Sequence, residues 1–226
     1  MLVGDSRELR STLSNKIMRK FVQNENLWIF SHLPESAVCV DLETTGFDDC
    51  YGPPDIIAFG ISVVRNAKVV STIEFKTKPT RPIEDQATQV HGISNEMAST
   101  FEPFELQWSK IKQHLSEELL IAHNSSYDWG IINEHISRYG LNSPTIKGVF
   151  CTQKAATPWA LANGLRCSER GVSLDALVSA LNVDDLRKES FHGAGIDSAM
   201  TAACAYKLQH IAQDLLEDSD VFRTDI

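Results

Sequence analysis

No two cysteines are spaced Cys-x-x-Cys, and the five present (Cys39, Cys50, Cys151, Cys167 and Cys204) are odd in number and widely scattered. Neither a zinc knuckle nor a disulfide framework is indicated, and reduced thiols fit a cytosolic setting. No apolar stretch approaches the roughly 18 residues needed to cross a bilayer, and the amino terminus lacks the continuous apolar core of a signal peptide. The reading is a soluble, cytoplasmic protein with no membrane partner. Positive charge is short as well: 21 Lys and Arg against 30 Asp and Glu give a formal charge of -9. That excludes broad electrostatic coating of DNA or RNA, but not a local site where metal ions supply the positive charge. Repeats and low-complexity tracts are absent. What is present is 226 residues, 42 % hydrophobic and 23 % charged, enough for one substantial core and a small appendage.

The chain is organised around Val38-Cys39-Val40-Asp41-Leu42-Glu43-Thr44-Thr45-Gly46, an apolar run that ends in two carboxylates and a turn. As a strand from Ala37 to Glu43, its period of two sets Asp41 and Glu43 on one face and Val40 and Leu42 on the other. Two like charges so close raise the cost of ionising each other, and a cation or a shared proton offsets the repulsion. An exposed strand end with two solvated acids is the plainer alternative, so the rest of the chain decides.

Before this strand, Leu9, Leu13, Ile17, Phe21 and Val22 recur at helical spacing, so residues 1–36 read as an amphipathic, helical appendage; Leu27-Trp28-Ile29-Phe30 is expected to be buried. After it, Gly52-Pro53-Pro54 marks a loop, 56–64 reads as a strand buried on both faces, and 69–75 as its return strand. A short helix is expected over 83–91. Phe104, Trp108, Ile111 and Leu115 mark a helix within 103–116, followed by a short strand over 119–122. Further on come a helix from about Asp128 to Tyr139, a strand at 149–151, helices at 152–162 and 173–181 (the latter capped by Ser173), and an Ala-rich helix after Asp197 to about Leu216. Three antiparallel strands and then alternating helices and short strands point to an α/β sandwich, a mixed sheet with helices on its faces. The divisions expected are the appendage 1–36, a catalytic domain 37–213 and an acidic tail 214–226 that frays.

Four acids stand where strands end or helices begin: Asp41, Glu43, Asp128 and Asp197. His192 precedes Asp197 by five residues, across Gly193 and Gly195. Singly, Asp128 and Asp197 read equally well as helix N-terminal acids and His192 as a loop histidine. Together they resemble the DnaQ-like, or DEDDh, 3′-to-5′ exonucleases of the ribonuclease H-like superfamily. Asp41-Leu42-Glu43-Thr44-Thr45-Gly46 resembles that family's first motif. His123-Asn124-Ser125-Ser126-Tyr127-Asp128 resembles the second, where the family commonly has Phe at the Tyr127 position, and His192-x-x-x-x-Asp197 the third. Val90-His91-Gly92-Ile93, with Pro82-Ile83 before it, is similar to a linking stretch, so the resemblance runs from about Ala37 to Leu208. Gly193 stands where the tyrosine branch carries Tyr, which indicates the histidine branch. Ala58 departs from the family's Glu or Gln.

Phosphodiester hydrolysis needs a hydroxide, charge neutralisation on the phosphoryl oxygens and a stabilised leaving 3′-oxygen, which two divalent ions supply. Four carboxylates without a thiol select hard Mg²⁺ or Mn²⁺ over zinc. The resemblance implies that Asp41 bridges two ions, that Glu43 and Asp197 complete one of them, that Asp128 supports the other, and that His192 is the general base. It also implies that Thr44, Thr45 and Gly46 hold the terminal 3′-hydroxyl and that His91 lines the terminal-nucleotide pocket. His123 and Asn124 are expected to fix the Asp128 turn. Phe47 is expected to be buried, with stacking on a base the alternative. The function implied is release of nucleoside monophosphates from single-stranded or frayed 3′ ends of DNA or RNA, with a polymerase partner or a homodimer both open. A catalytically silent adaptor of the same fold and an internally cutting nuclease are the competing readings.

Overall fold

The computed structural model describes residues 27–47, 52–187 and 191–221, with side chains to residue 217. The amphipathic pattern at 9–22, Cys50, and the last residues of the acidic tail lie outside these. The elements are α1 (Trp28–Ser31), β1 (Ala37–Thr44), β2 (Ile56–Arg65), β3 (Lys68–Lys78), α2 (Asp85–His91), α3 (Asn95–Ala98), β4 (Glu102–Pro103), α4 (Phe104–Leu115), β5 (Leu119–Ala122), α5 (Ser125–Arg138), β6 (Gly148–Cys151), α6 (Thr152–Ala162), α7 (Leu174–Ala180) and α8 (Ala194–Val221). They build one six-stranded sheet in the order β4-β3-β2-β1-β5-β6. β1, β2 and β3 pair antiparallel, whereas β5 lies parallel to β1 and β6 parallel to β5. This is the mixed, ribonuclease H-like sheet with helices on both faces that the sequence indicates.

Alternation along β1 sorts its side chains between two cores. Ala37 and Cys39 join the cluster under α1, α6, α7 and α8, while Val38, Val40 and Leu42 join Trp108, Ile111, Ile131 and Ile132 of α4 and α5. Asp41 and Glu43 continue the Ala37–Cys39 row, so they face α8. Each fully buried aliphatic side chain of these clusters contributes about 1.5–3 kcal/mol, which pins the register: a slip of one residue would turn both acids into the α4–α5 core. Parallel pairing of β1 with β5 then brings the carboxyl ends of the two strands to one edge of the sheet, where open α/β folds place their sites.

α8 reaches that edge because Gly60 lets it. Gly60 pairs with Asp41 on one side and Glu74 on the other, and a Cβ there would stand 2.0 Å from the Ala194 carbonyl oxygen. Around this contact Glu74 Oε2 accepts from Gly195 N at 3.0 Å, Ser62 Oγ meets Ser198 Oγ at 2.9 Å, and Ser198 Oγ donates to Gly195 O at 2.8 Å. Gly60→Ala is therefore expected to lift the start of α8, lowering stability by about 1–3 kcal/mol and Tm by about 2–12 °C. Because α8 carries Asp197, divalent-metal binding should weaken further than the melting curve alone accounts for; a thermal melt with and without Mn²⁺ on the same sample checks this.

Three expectations change, and two short segments were not anticipated. Leu27 and Phe30 are buried, but Trp28 and Ile29 are exposed, because a four-residue helix turns only positions i and i+3 inward. α5 starts at Ser125, not Asp128, since Asn124 turns left-handed (φ 74°) directly after β5. α8 starts at Ala194, where Asp197 N bonds Gly193 O at 2.8 Å, and continues past Leu216 to Val221. The segments α3 and β4 carry no pattern long enough to read from the sequence.

Candidate metal centre and nucleotide cavity

Three chain segments meet at the β1 edge. Carboxylate oxygens of Asp41, Glu43 and Asp197 lie within 4.8 Å of one another. Asp128, from the first turn of α5, is buried and stands outside this group, yet close enough for its charge to act on Asp41. Burial and the neighbouring charges of Asp128, Glu43 and Asp197 push the Asp41 carboxyl well above the usual carboxylate range. Burial, then the Asp197 charge, takes Glu43 up to about 8, and burial takes Asp128 to about 7. Oxygen-only donors of excess negative charge, drawn together in a buried edge, fit a hard divalent cation.

Asp197 differs from the other three. Arg187 Nε donates to its Oδ1 at 2.9 Å and Nη2 to its Oδ2 at 3.2 Å, and His192 Nδ1 lies 2.8 Å from Oδ2. Burial alone would raise the Asp197 pKa; His192 and Arg187 outweigh it and hold it below the ordinary value. His192 moves the other way, its pKa raised by the Asp197 hydrogen bond against partial burial. Arg187 was not singled out by the sequence: an arginine ten residues before Asp197 belongs to no motif, and only the fold reveals its contact.

Asp41, Glu43 and Asp128 make metal-free stability fall with pH. An acid whose folded pKa is raised keeps a proton that the unfolded chain gives up, so its contribution is complete below about pH 4 and is lost as pH climbs through its folded value. For Glu43 and Asp128 that loss is complete by about pH 8–9. Asp197 and Asp55, whose pKa values are lowered, act oppositely, holding stability above the usual carboxylate range and losing it in acid. Melts in EDTA are thus expected to show Tm declining from pH 6 to 9, and Mn²⁺ to flatten the decline by compensating the ionised acids. A pH-independent Tm in EDTA would contradict this.

Beside Glu43 opens a cavity of about 740 Å³ lined by Thr44, Gly46, Phe47, His91, Tyr127 and Arg170 among others. Thr44 Oγ1 donates to Gly46 O at 2.9 Å and meets Tyr127 OH at 3.0 Å, and Tyr127 OH also reaches Gly46 O at 3.3 Å. The hydroxyl that Tyr127 has and a phenylalanine would lack therefore locks the turn after the acids. Thr45 is buried: its N–H donates to Asp55 O at 2.9 Å and its Oγ1 accepts from Asp55 N at 3.0 Å. Asp55 is in turn held by Thr80 and Arg138; burial pushes its carboxyl up, and these partners more than reverse it.

His91 also borders the cavity. Its Nδ1 accepts from Ile93 N at 3.0 Å, so Nε2 carries the proton, buried and turned toward the Thr44 backbone in a contact too poorly aligned to count as a full hydrogen bond. Burial keeps its pKa below the ordinary value. Phe47 is 63 % exposed and so stands on the cavity wall, contrary to its expected burial. His123, which leads into the Asp128 turn, directs its ring nitrogens to Thr152 Oγ1 (3.0 Å) and Val172 O (2.9 Å). Asn124 shapes that turn through its backbone, accepting from Tyr127 N at 2.9 Å.

Acids gathered at the carboxyl ends of parallel strands on this mixed, ribonuclease H-like sheet occupy the edge where open α/β folds place their sites. The chain belongs to the exonuclease family, whose sequence model matches residues 38–205. It is similar to the PolC-type DNA polymerase III of Listeria welshimeri (26 % identity over 184 residues, 81 % of this chain and 12 % of that protein) and to the DNA polymerase III subunit epsilon of Pasteurella multocida (28 % over 173 residues, 75 % and 66 %). The chain thus spans only a small part of the PolC-type relatives and about two thirds of the epsilon subunit. In fold it resembles exonuclease X in complex with 5′ overhanging duplex DNA (TM-score 0.59, 23 % identity, 78 % of this chain and 93 % of that one). It likewise resembles the nuclease domain of 3′hExo, a DEDDh family member, bound to rAMP (TM-score 0.58, 16 % identity, 81 % and 94 %). Among the described residues no helix is long and apolar enough to cross a membrane.

Proposed function

We propose that the protein is a 3′-to-5′ exonuclease of the DEDDh type, removing nucleoside monophosphates from single-stranded or frayed 3′ ends. The observation that carries this reading is the meeting of Asp41, Glu43 and Asp197 within 4.8 Å, with His192 on Asp197 and the cavity alongside. Asp41, Glu43 and Asp197 would hold one divalent ion, and Asp41 with Asp128 the second, as Mg²⁺ or Mn²⁺. Such ions, when bound, neutralise phosphoryl charge and lower the pKa of water.

The chain's own residues do the rest. His192, part-exposed at the mouth of the site, takes the proton of the attacking water at a ring nitrogen once it is released from Asp197. Thr44 and Gly46, which line the cavity, are placed to meet the terminal 3′-hydroxyl, whereas Thr45, expected to share that role, is buried with its N–H and Oγ1 both committed to Asp55. His91 borders the terminal-nucleotide cavity, and Phe47 presents a ring on which its base can stack. Presence of all four acids and the histidine counts against a silent adaptor. Association with a polymerase is the partner reading that the epsilon and PolC-type relatives favour.

The test is direct. Full-length protein with Mg²⁺ or Mn²⁺ is incubated with 5′-labelled single-stranded DNA, matched RNA, and circular single-stranded DNA. Stepwise shortening of the linear strands with the circle intact is expected, and the faster linear substrate assigns DNA or RNA. Cleavage of the circle would make the enzyme an endonuclease; no metal-dependent cleavage at all would return the adaptor.

A further inference from the structure

Among the described residues, the cavity beside Glu43 has two carboxylates in its wall, Glu43 and Glu84, and one permanent cation, Arg170. A nucleic-acid strand carries a negative charge at every link. Ions held by the acids can neutralise the phosphate being cut, but the next link meets a chain whose net charge is -9. A cation on the cavity wall would offset that charge.

Arg170 is exposed, and among the described residues it makes no ion pair. It sits in a tight turn closed by Ser168 N to Gly171 O (3.0 Å), Gly171 N to Ser168 O (3.0 Å) and Ser168 Oγ to Gly171 O (3.1 Å). The turn is clamped to the body of the domain. Val172 N donates to Thr157 Oγ1 at 3.0 Å, and Val172 O accepts from Gln153 Nε2 at 3.2 Å and from His123 Nε2 at 2.9 Å. Gly171, at φ +120°, lies so close to α6 that a Cβ would stand 2.5 Å from Thr157 Oγ1. His123 and Gln153, two polar side chains largely withdrawn from solvent, thus hold a surface turn that exposes Glu169 and Arg170, of which Arg170 alone lines the cavity. A backbone already fixed leaves only the arginine side chain to be ordered on binding.

We propose that Arg170 binds a phosphodiester on the 5′ side of the terminal nucleotide and positions the strand for successive cuts. The assignment rests on the exonuclease reading above. It also gives His123 a purpose, through the turn that it holds.

The experiment uses the full chain with Mn²⁺, comparing wild type, Arg170→Gln and Arg170→Lys on two substrates. One is a 5′-labelled single-stranded oligonucleotide. The other is the p-nitrophenyl ester of thymidine 5′-monophosphate, which has a scissile phosphodiester and no link upstream of it. For Arg170→Gln, KM for the oligonucleotide is expected to rise about tenfold with kcat within about threefold, and the salt dependence of log kcat/KM to become shallower by about 0.7. Hydrolysis of the ester should be unchanged, and Arg170→Lys should recover most of the oligonucleotide affinity. An unaltered KM and salt slope in Arg170→Gln would overturn the assignment, and so would an equal loss on both substrates, which places the arginine at the reacting phosphate or in the fold. Failure of the wild type on both substrates would remove the exonuclease reading itself and this inference with it.

Discussion

Asp41→Asn is expected to abolish metal-dependent hydrolysis and at the same time to raise the melting temperature of the metal-free protein. Activity should fall about 10³–10⁵-fold, equivalent to about 4–7 kcal/mol of barrier, because an amide is a poor ligand for a hard cation and Asp41 sits between the Glu43–Asp197 pair and Asp128. Stability moves the other way for the same reason. The Asp41 carboxyl is raised by burial and by three acidic neighbours, so a neutral side chain of the same shape removes a repulsion that the empty site must carry. A gain of about 2–5 °C in EDTA at pH 8 is expected, together with loss of the stabilisation that Mn²⁺ gives the wild type. Calorimetry with and without Mn²⁺ decides it: a variant that melts lower than wild type in EDTA, or that still gains stability from the ion, would mean that Asp41 is not the hub of the site.

The second large effect concerns His192. His192→Ala should lower kcat about 10²–10⁴-fold with KM for an oligonucleotide nearly unchanged, the pattern of a proton acceptor and not of a binding residue. Wild-type turnover should climb with pH as the imidazole becomes neutral. In the metal-free state its pKa is raised by the Asp197 hydrogen bond, and bound cations would pull it back down. The rising limb should vanish in His192→Ala. Near-normal turnover in that variant, or an intact limb, would take His192 out of the proton transfer.

Much of the site was legible because its residues answer local rules. Alternation in Ala37–Glu43 gave the face that Asp41 and Glu43 share, and the apolar run at 119–122 announced the strand that leads to Asp128. What stayed hidden is held by contacts between distant positions. Tyr127 closes on Thr44 across 83 residues, and His123 reaches Val172 across 49. Arg187 finds Asp197 only because α8 settles into the groove at Gly60. Phe47 was misjudged on general grounds: a lone aromatic is usually core, but the turn beyond Gly46 carries this one outward. The same holds for Trp28 and Ile29, whose four-residue helix has too narrow a buried face for all its apolar side chains.

The reciprocal pair of bonds joining Thr45 and Asp55 gives the catalytic turn a second anchorage, independent of the strand that leads into it. Asp55 is itself held by Thr80, in the loop after β3, and by Arg138 of α5, so the turn is braced from three elements and a change in any one of them is felt beside the acids.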